Sequence, residues 1–275
     1  MIKRTLTISL FIITLSVALS VVLSLPVKAQ TVMGAKSISM GQSGVSIPNS
    51  EWAVFNNPAL LPTEESTVSF YGFRYVGIAE ITDMAAATAV QTMLGTIGVG
   101  AHRYGFNLFN ENRFLLSYKN SEERFHYGVS VSYVHVFQGE NYGSAGAFGL
   151  DLGLAAEVTE TLWMGARATN VNQPGYGDTD EDLPRELAAG FSYKPASSAQ
   201  ITAEIVKDIK FPLSFRTGLE FEIFKSFFAR AGITTKPSTY SFGFGYGSNQ
   251  WGVNFALQQH DPLGMSPALD LSIRI

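Results

Sequence analysis

Between Phe125 and Tyr133 every second residue is apolar: Phe125, Tyr127, Val129, Val131 and Tyr133 alternate with His126, Gly128, Ser130 and Ser132. A period of two is the repeat of an extended strand with one apolar and one polar face. The pattern recurs along the chain. Leu150, Leu152 and Leu154 alternate with Asp151 and Gly153, and Phe215, Leu219, Phe221 and Ile223 with Ser214, Arg216, Gly218, Glu220 and Glu222. Tyr240, Phe242, Phe244 and Tyr246 alternate with Ser241, Gly243 and Gly245, and at the end Leu269, Leu271, Ile273 and Ile275 with Ala268, Asp270, Ser272 and Arg274. Weaker copies cover residues 113–119, 186–194, 200–205 and 251–258. Residues 67–75 alternate poorly, with Arg74 among aromatics, and residues 84–90 are dominated by alanine. Counting from Ser66 predicts fourteen strands, or twelve if either of these two fails. The fold class is therefore all-β.

The polar faces decide which kind. In a β-sandwich they would meet water and carry long charged side chains. Here they mix Gly, Ala, Ser and Thr with charges of both signs: Arg113, Arg124, Arg167, Arg216, Arg230 and Arg274 against Asp151, Glu157, Glu204, Glu220, Glu222 and Asp270. Small residues with balanced charges suit a narrow lumen, where an unpaired charge is costly. Neutralisation of Glu220 and Glu222 by Arg216 and Arg230 is expected. Connections also alternate in length: 119–123, 159–161, 195–198, 225–226 and 248–250 read as tight, and 105–112, 138–144, 170–184, 207–212 and 259–267 as longer, with 235–239 short where a long one is due. That rhythm predicts a transmembrane antiparallel barrel with short periplasmic turns and longer outer loops over residues 66–275. In lipid such a sheet must close on itself, because no edge can stay unpaired.

Composition removes several alternatives. The 275 residues are 46% apolar and only 15% charged, with 26 glycines and no cysteine. Disulfide scaffolds, thiolate metal sites and a lipid-anchored cysteine are thereby excluded. A net charge of −4 without any basic, aromatic-rich stretch leaves no footprint for nucleic acid. At the start, Lys3 and Arg4 precede an apolar run ending near Pro26, and Val27-Lys28-Ala29 offers a cleavage site. Residues 1–29 therefore read as a cleaved signal peptide, the alternative being a signal anchor. Export of this kind places the chain in a Gram-negative-type outer membrane, with lipid and lipopolysaccharide as its surroundings.

Residues 30–65 do not alternate. They contain Gly34-Ala35-Lys36-Ser37-Ile38-Ser39-Met40-Gly41 and then Trp52-Ala53-Val54-Phe55-Asn56-Asn57-Pro58-Ala59-Leu60. A segment of this length with several apolar anchors is expected to fold into the lumen as a plug, with Trp52, Asn56, Asn57, Pro58 and Ala59 as its motif. These two blocks and the glycine-rich barrel resemble the FadL-like outer-membrane proteins, and within them the PorV/PorQ-type branch associated with type IX secretion. The resemblance implies a fourteen-stranded barrel with an N-terminal hatch. It also implies either a passive channel or binding protein for hydrophobic compounds or, alternatively, an accessory component that binds secretion-system proteins.

Catalytic chemistry finds little support. His102, His126, His135 and His260 are scattered singly, and Ser130 or Ser132 near His126 lacks an identifiable third partner or oxyanion donor. No enzyme activity and no cofactor are expected. Gly243, Gly245 and Gly247 alternate with aromatics, and no Lys-Ser/Thr pair follows, so they read as strand packing and not as a phosphate loop. Asp178, Asp180, Glu181 and Asp182 read as a solvated loop, with calcium as the alternative. Tyr75, Tyr104, Trp163, Tyr193 and Trp251 lie near strand ends, where they suit an aromatic girdle or, failing that, packing against the plug. The charges expected in the lumen are Arg124, Asp151, Arg167, Glu204, Arg216, Glu220, Glu222, Arg230, Asp270 and Arg274.

Overall fold

The computed structural model describes residues 32–76, 78, 80–139, 143–177, 182–260 and 264–275. The expected signal peptide and Asp178, Asp180 and Glu181 of the acidic cluster lie outside these residues.

Fourteen strands follow one another around a closed antiparallel barrel. They are β1 (Thr67–Arg74), β2 (Thr82–Thr92), β3 (Gly95–Phe106), β4 (Phe109–Glu122), β5 (Phe125–Gln138), β6 (Ser144–Thr159) and β7 (Leu162–Ala168), then β8 (Glu186–Ala196), β9 (Ala199–Asp208), β10 (Ser214–Phe224), β11 (Phe227–Thr235), β12 (Ser238–Gly247), β13 (Trp251–His260) and β14 (Gly264–Arg274). β1 closes the cylinder by pairing with both β2 and β14, Thr67 opposite Arg274 and Phe73 opposite Ala268. Both doubtful strands form, so the count is fourteen.

The dyad pattern sorts as the sequence predicts. Phe125, Phe148, Leu154 and Phe244 point outward and are at least 60% exposed, whereas Asp151, Glu204, Arg216 and Arg230 point inward and are under 8% exposed. This inverts the partition of a water-soluble fold, where large apolar side chains are the buried ones. β1 alternates poorly because its inner face is aromatic. Tyr71 and Phe73 are buried and Arg74 faces out.

At the end where the chain enters β1 and leaves β14, the turns are short: residues 93–94, 123–124, 160–161, 197–198, 225–226 and 248–250. The opposite end carries the longer connections 75–81, 139–143, 169–185 and 209–213. Two expected long loops are not long. The ladder of β3 and β4 continues through Gly105 with Asn110 and Phe106 with Phe109, leaving only residues 107–108, and β13 and β14 pair out to His260 and Gly264. Gly105 makes the first of these possible, since its φ of 116° lies where only glycine rests without strain.

Ahead of β1 come two short helices, α1 (Ala35–Ser39) and α2 (Ala53–Asn56), and a 3-10 turn over Pro58–Leu60. α1 packs against β11 to β14, α2 against β2 to β4, and the turn against β4 to β6. Inner-wall glycines make room for them: a Cβ on Gly128 would meet the Pro58 carbonyl carbon at 2.4 Å, and one on Gly232 would meet the Gly41 nitrogen at 2.0 Å.

Candidate functional site

The inner wall and residues 32–62 form one polar and apolar interface, built from the strands' inward positions. On one side it is ionic. Glu220 on β10 pairs with Lys36 at 3.0 Å and with Arg230 on β11, which donates to Asn254 on β13 at 2.8 Å. Asn254 in turn donates to Asp270 on β14 at 2.7 Å, and Asp270 accepts the Ala35 N–H at 2.6 Å, capping the start of α1. The chain of contacts thus begins and ends on the N-terminal segment. Arg230 reaches past β12 only because Gly245 has no side chain, since a Cβ there would lie 2.5 Å from its Nη1. This packing explains part of the glycine run that superficially resembles a phosphate loop.

A second ionic row lies on β7 to β10. Arg167 pairs with Glu186 and donates to the Phe55 and Asn56 carbonyls at 2.8 and 3.0 Å. Arg216 lies 3.5 Å from Glu204 and 4.0 Å from Glu186, and donates to the Gln42 carbonyl at 3.1 Å. Glu204 accepts the N–H groups of Gly44 and Val45 at 2.9 and 3.0 Å. These charges pair with one another and with backbone groups of the segment, the condition under which interior ions are tolerable, although the Nε atoms of Arg167 and Arg216 find no partner among the described residues. Asp151 belongs to a third, smaller group with Arg113 at 3.0 Å and the Asn170 N–H at 2.8 Å.

The Asn56-Asn57-Pro58-Ala59 block holds the segment to itself and to the wall. Asn56 accepts from the Met33 N–H and donates to the Met33 carbonyl, both at 2.9 Å, so its amide imitates a strand partner. Asn57 donates to the Val45 carbonyl at 2.7 Å and to the Leu154 and Ala166 carbonyls of β6 and β7, while its Oδ1 accepts from Ala59. Pro58 opens the 3-10 turn, where its missing N–H costs nothing. Ala59 is fully buried near Gly128 and Gly153.

On the other side the interface is apolar. Trp52 stacks edge-on to Tyr71 at 5.6 Å, and Val54, Phe55, Leu60 and Leu61 join one buried cluster with Tyr71, Phe73, Ala85, Ala87, Ala89 and Leu115. Beside it His102 lies 2.9 Å from Asp83, with both side chains almost fully buried. Burial, and then the nearby Asp83 carboxylate, push the phenol of Tyr75, which follows β1, well above its ordinary range.

Several sequence expectations change. Arg124 stands exposed in the turn between β4 and β5, because the hairpin reverses there, and so is not an inner-wall charge. Glu222 sits at the end of β10 and accepts the Ser226 N–H of the next turn. Arg216 neutralises Glu204 and Glu186 instead of Glu220 and Glu222, because Glu204 on β9 is its direct register partner and Glu186 lies on β8, one strand further on the same side. Arg274 pairs with Glu51 at 2.9 Å near the short-turn end. Of the five girdle aromatics only Tyr193 and Trp251 face outward. Tyr104 is buried inside, and Tyr75 and Trp163 pack on the inner cluster. His126 stacks on Trp163, and Ser130 bonds to Ser117, so the His–Ser pair on that strand does not assemble.

Asp83–His102, Lys36–Glu220, Glu186 and Asn254 escape sequence reading. Asp83 and His102 lie diagonally across the β2–β3 ladder, where Asp83 faces Tyr104 and Ala85 faces His102. Only the register reveals that adjacency.

No protein-family model and no curated relative matches this chain. Solved structures do, over most of their length. The CymD monoaromatic hydrocarbon channel superposes with a TM-score of 0.66 at 13% identity, covering 89% of this chain and 98% of that one. The Pseudomonas putida toluene transporter TodX gives 0.64 at 12% identity, covering 90% and 98%, and a Pseudomonas aeruginosa FadL homologue gives 0.56 at 12%, covering 89% and 98%. The likeness is one of fold: this chain shares the barrel architecture of these three structures.

Proposed function

We propose that this protein is a FadL-like outer-membrane barrel that lets a small hydrophobic compound cross passively, with residues 30–65 as its plug. One observation carries the reading: large apolar side chains cover the outside of a closed cylinder while its ions are turned inward onto the N-terminal segment. Such a surface suits hydrocarbon, where a closed sheet leaves no backbone group unpaired. The short-turn end, from which the plug enters, is the periplasmic one. The channels named above supply the solute class, and the buried cluster of Trp52, Phe55, Tyr71 and Phe73 gives the boundary between plug and wall an apolar side chemically matched to such a solute.

Uptake of an apolar aromatic compound into proteoliposomes tests the idea. Deleting residues 30–65 should raise the rate severalfold over the intact chain. Equal permeability of intact and deleted protein, at equal barrel content, would refute the proposal. Recovery of a stoichiometric protein partner from outer membranes would instead favour the PorV/PorQ-like accessory role.

A further inference from the structure

Small residues interrupt the outward belt in several places, among them Ala86 and Ala101 between Phe70 and Phe114, and Ala166 and Ala189 between Leu154 and Ile205; the break across β8 to β11 is the one hollowed into a cavity among the described residues. Across β8 to β11, Phe191 faces Ala203, Ala203 faces Thr217, and Thr217 faces Ile233, so two small residues stand side by side between two large ones. Ile205 and Phe215, directly paired, wall the next outward row. The result is a cup of about 390 Å³ opening on the outside of the barrel. Thr217 does not make its floor polar, because its hydroxyl donates to the Thr202 carbonyl at 2.9 Å and is satisfied. The adjoining Glu204 and Arg216 direct their charged ends inward, onto the Gly44 and Val45 N–H groups and the Gln42 carbonyl. Thr235, the other hydroxyl of the lining, accepts the Phe215 N–H at 2.9 Å, so what the cup offers a ligand is almost wholly hydrocarbon.

We infer that this cup is a binding site for an alkyl chain, and specifically for the acyl chain of a lipid in the surrounding bilayer. The inference rests on the reading that the outward face meets lipid. Volume and chemistry favour a chain: an apolar cavity of about 150 Å³ already holds a benzene ring, so this space takes a longer hydrocarbon. Its mouth lies among Phe191, Ile205, Phe215 and Ile233, all at least 40% exposed on the same apolar surface, so a chain lying against that surface enters without crossing a polar rim. Well-fitted apolar contact then retains it longer than chains elsewhere on the outward wall.

Reconstitution into phosphatidylethanolamine vesicles doped with a lipid bearing a photoreactive acyl chain tests this. Cross-links should concentrate several-fold on peptides of β9 and β10 relative to the outward Phe242 and Phe244 of β12. Ala203→Phe, which fills the floor, should abolish the excess while leaving labelling of β12 unchanged; Thr217→Leu provides the same test should the first variant fail to fold, as judged by its heat-modifiable migration. Labelling spread evenly over the outward strands would overturn the site but leave the membrane reading intact. Absence of lipid labelling on every outward strand would overturn both. Preferential capture of a free photoreactive alkane, with none of the lipid-borne probe, would also overturn the assignment to bilayer lipid.

Discussion

Two parts of the inner wall hold the same N-terminal segment by different physics. From β1 to β4 the wall offers Tyr71, Phe73, Ala85, Ala87, Ala89 and Leu115 to Trp52, Val54, Phe55 and Leu61, and contact there is largely apolar, with Lys119 donating to the Leu61 carbonyl at 2.7 Å at its edge. From β7 to β14 it offers Arg167, Glu204, Arg216, Glu220 and Asp270, which reach the segment's backbone groups or Lys36. Apolar contact is non-directional and tolerates sliding. Charged groups bonded to named carbonyls and N–H groups do not, because each displacement leaves a buried ion without its partner. The ionic side therefore does most to set the segment's position, and the apolar side supplies contact area.

The sharpest ways to break this contrast are the largest truncations on each side. Arg167→Ala leaves Glu186, whose side chain is 1% exposed, without its nearest cation, and should cost roughly 3–5 kcal/mol in denaturant unfolding of the refolded barrel. Trp52→Ala removes the largest apolar anchor and should cost a similar 3–5 kcal/mol, roughly the range for emptying a buried aromatic site. Conservative changes then separate the two sides. Trp52→Phe should retain most of the stability, at a loss of about 1–2 kcal/mol. Arg167→Lys should keep little of it, since a single ammonium cannot replace a planar fork that reaches two carbonyls and a carboxylate. Equal effects of the two conservative swaps would show that the sides do not differ in kind.

Smaller changes probe the segment's own staple. Asn57→Ala strips bonds to the Val45, Leu154 and Ala166 carbonyls, and should cost about 1–3 kcal/mol. The readout is faster protease cleavage within residues 32–62 while the strands remain resistant. At the low end, Arg124→Ala in its exposed turn should change stability by less than about 0.5 kcal/mol. A larger loss there would mean that the turn bears on the inner wall after all.

Much of the barrel was legible because a period of two needs no long-range knowledge. Phe125 to Tyr133 or Tyr240 to Tyr246 declare their two faces within a few residues. β1 was harder, since an inner wall lined by Tyr71 and Phe73 looks wrong until Trp52 and Phe55 are set against it. Arg124 was misplaced for the opposite reason. Its parity extends the polar face of β5, but the hairpin turns before reaching it, and one residue of boundary error moves a charge from wall to solvent. The girdle aromatics failed similarly: proximity to a strand end does not say which face a ring takes, and Tyr104 and Trp163 face in.

By itself the sequence determined which residues share a face, that apolar and ionic faces lie on opposite sides of each strand, and that the segment before the strands is of another kind. These are local properties, set by the strand's repeat and by the cost of burying charge. Tertiary structure alone decided which ions meet. Arg230 reaches Asn254 across Gly245, Asp270 caps α1 from β14, and Arg216 joins Glu204 rather than Glu220, because partners as far as 235 residues apart are brought together only by register and closure.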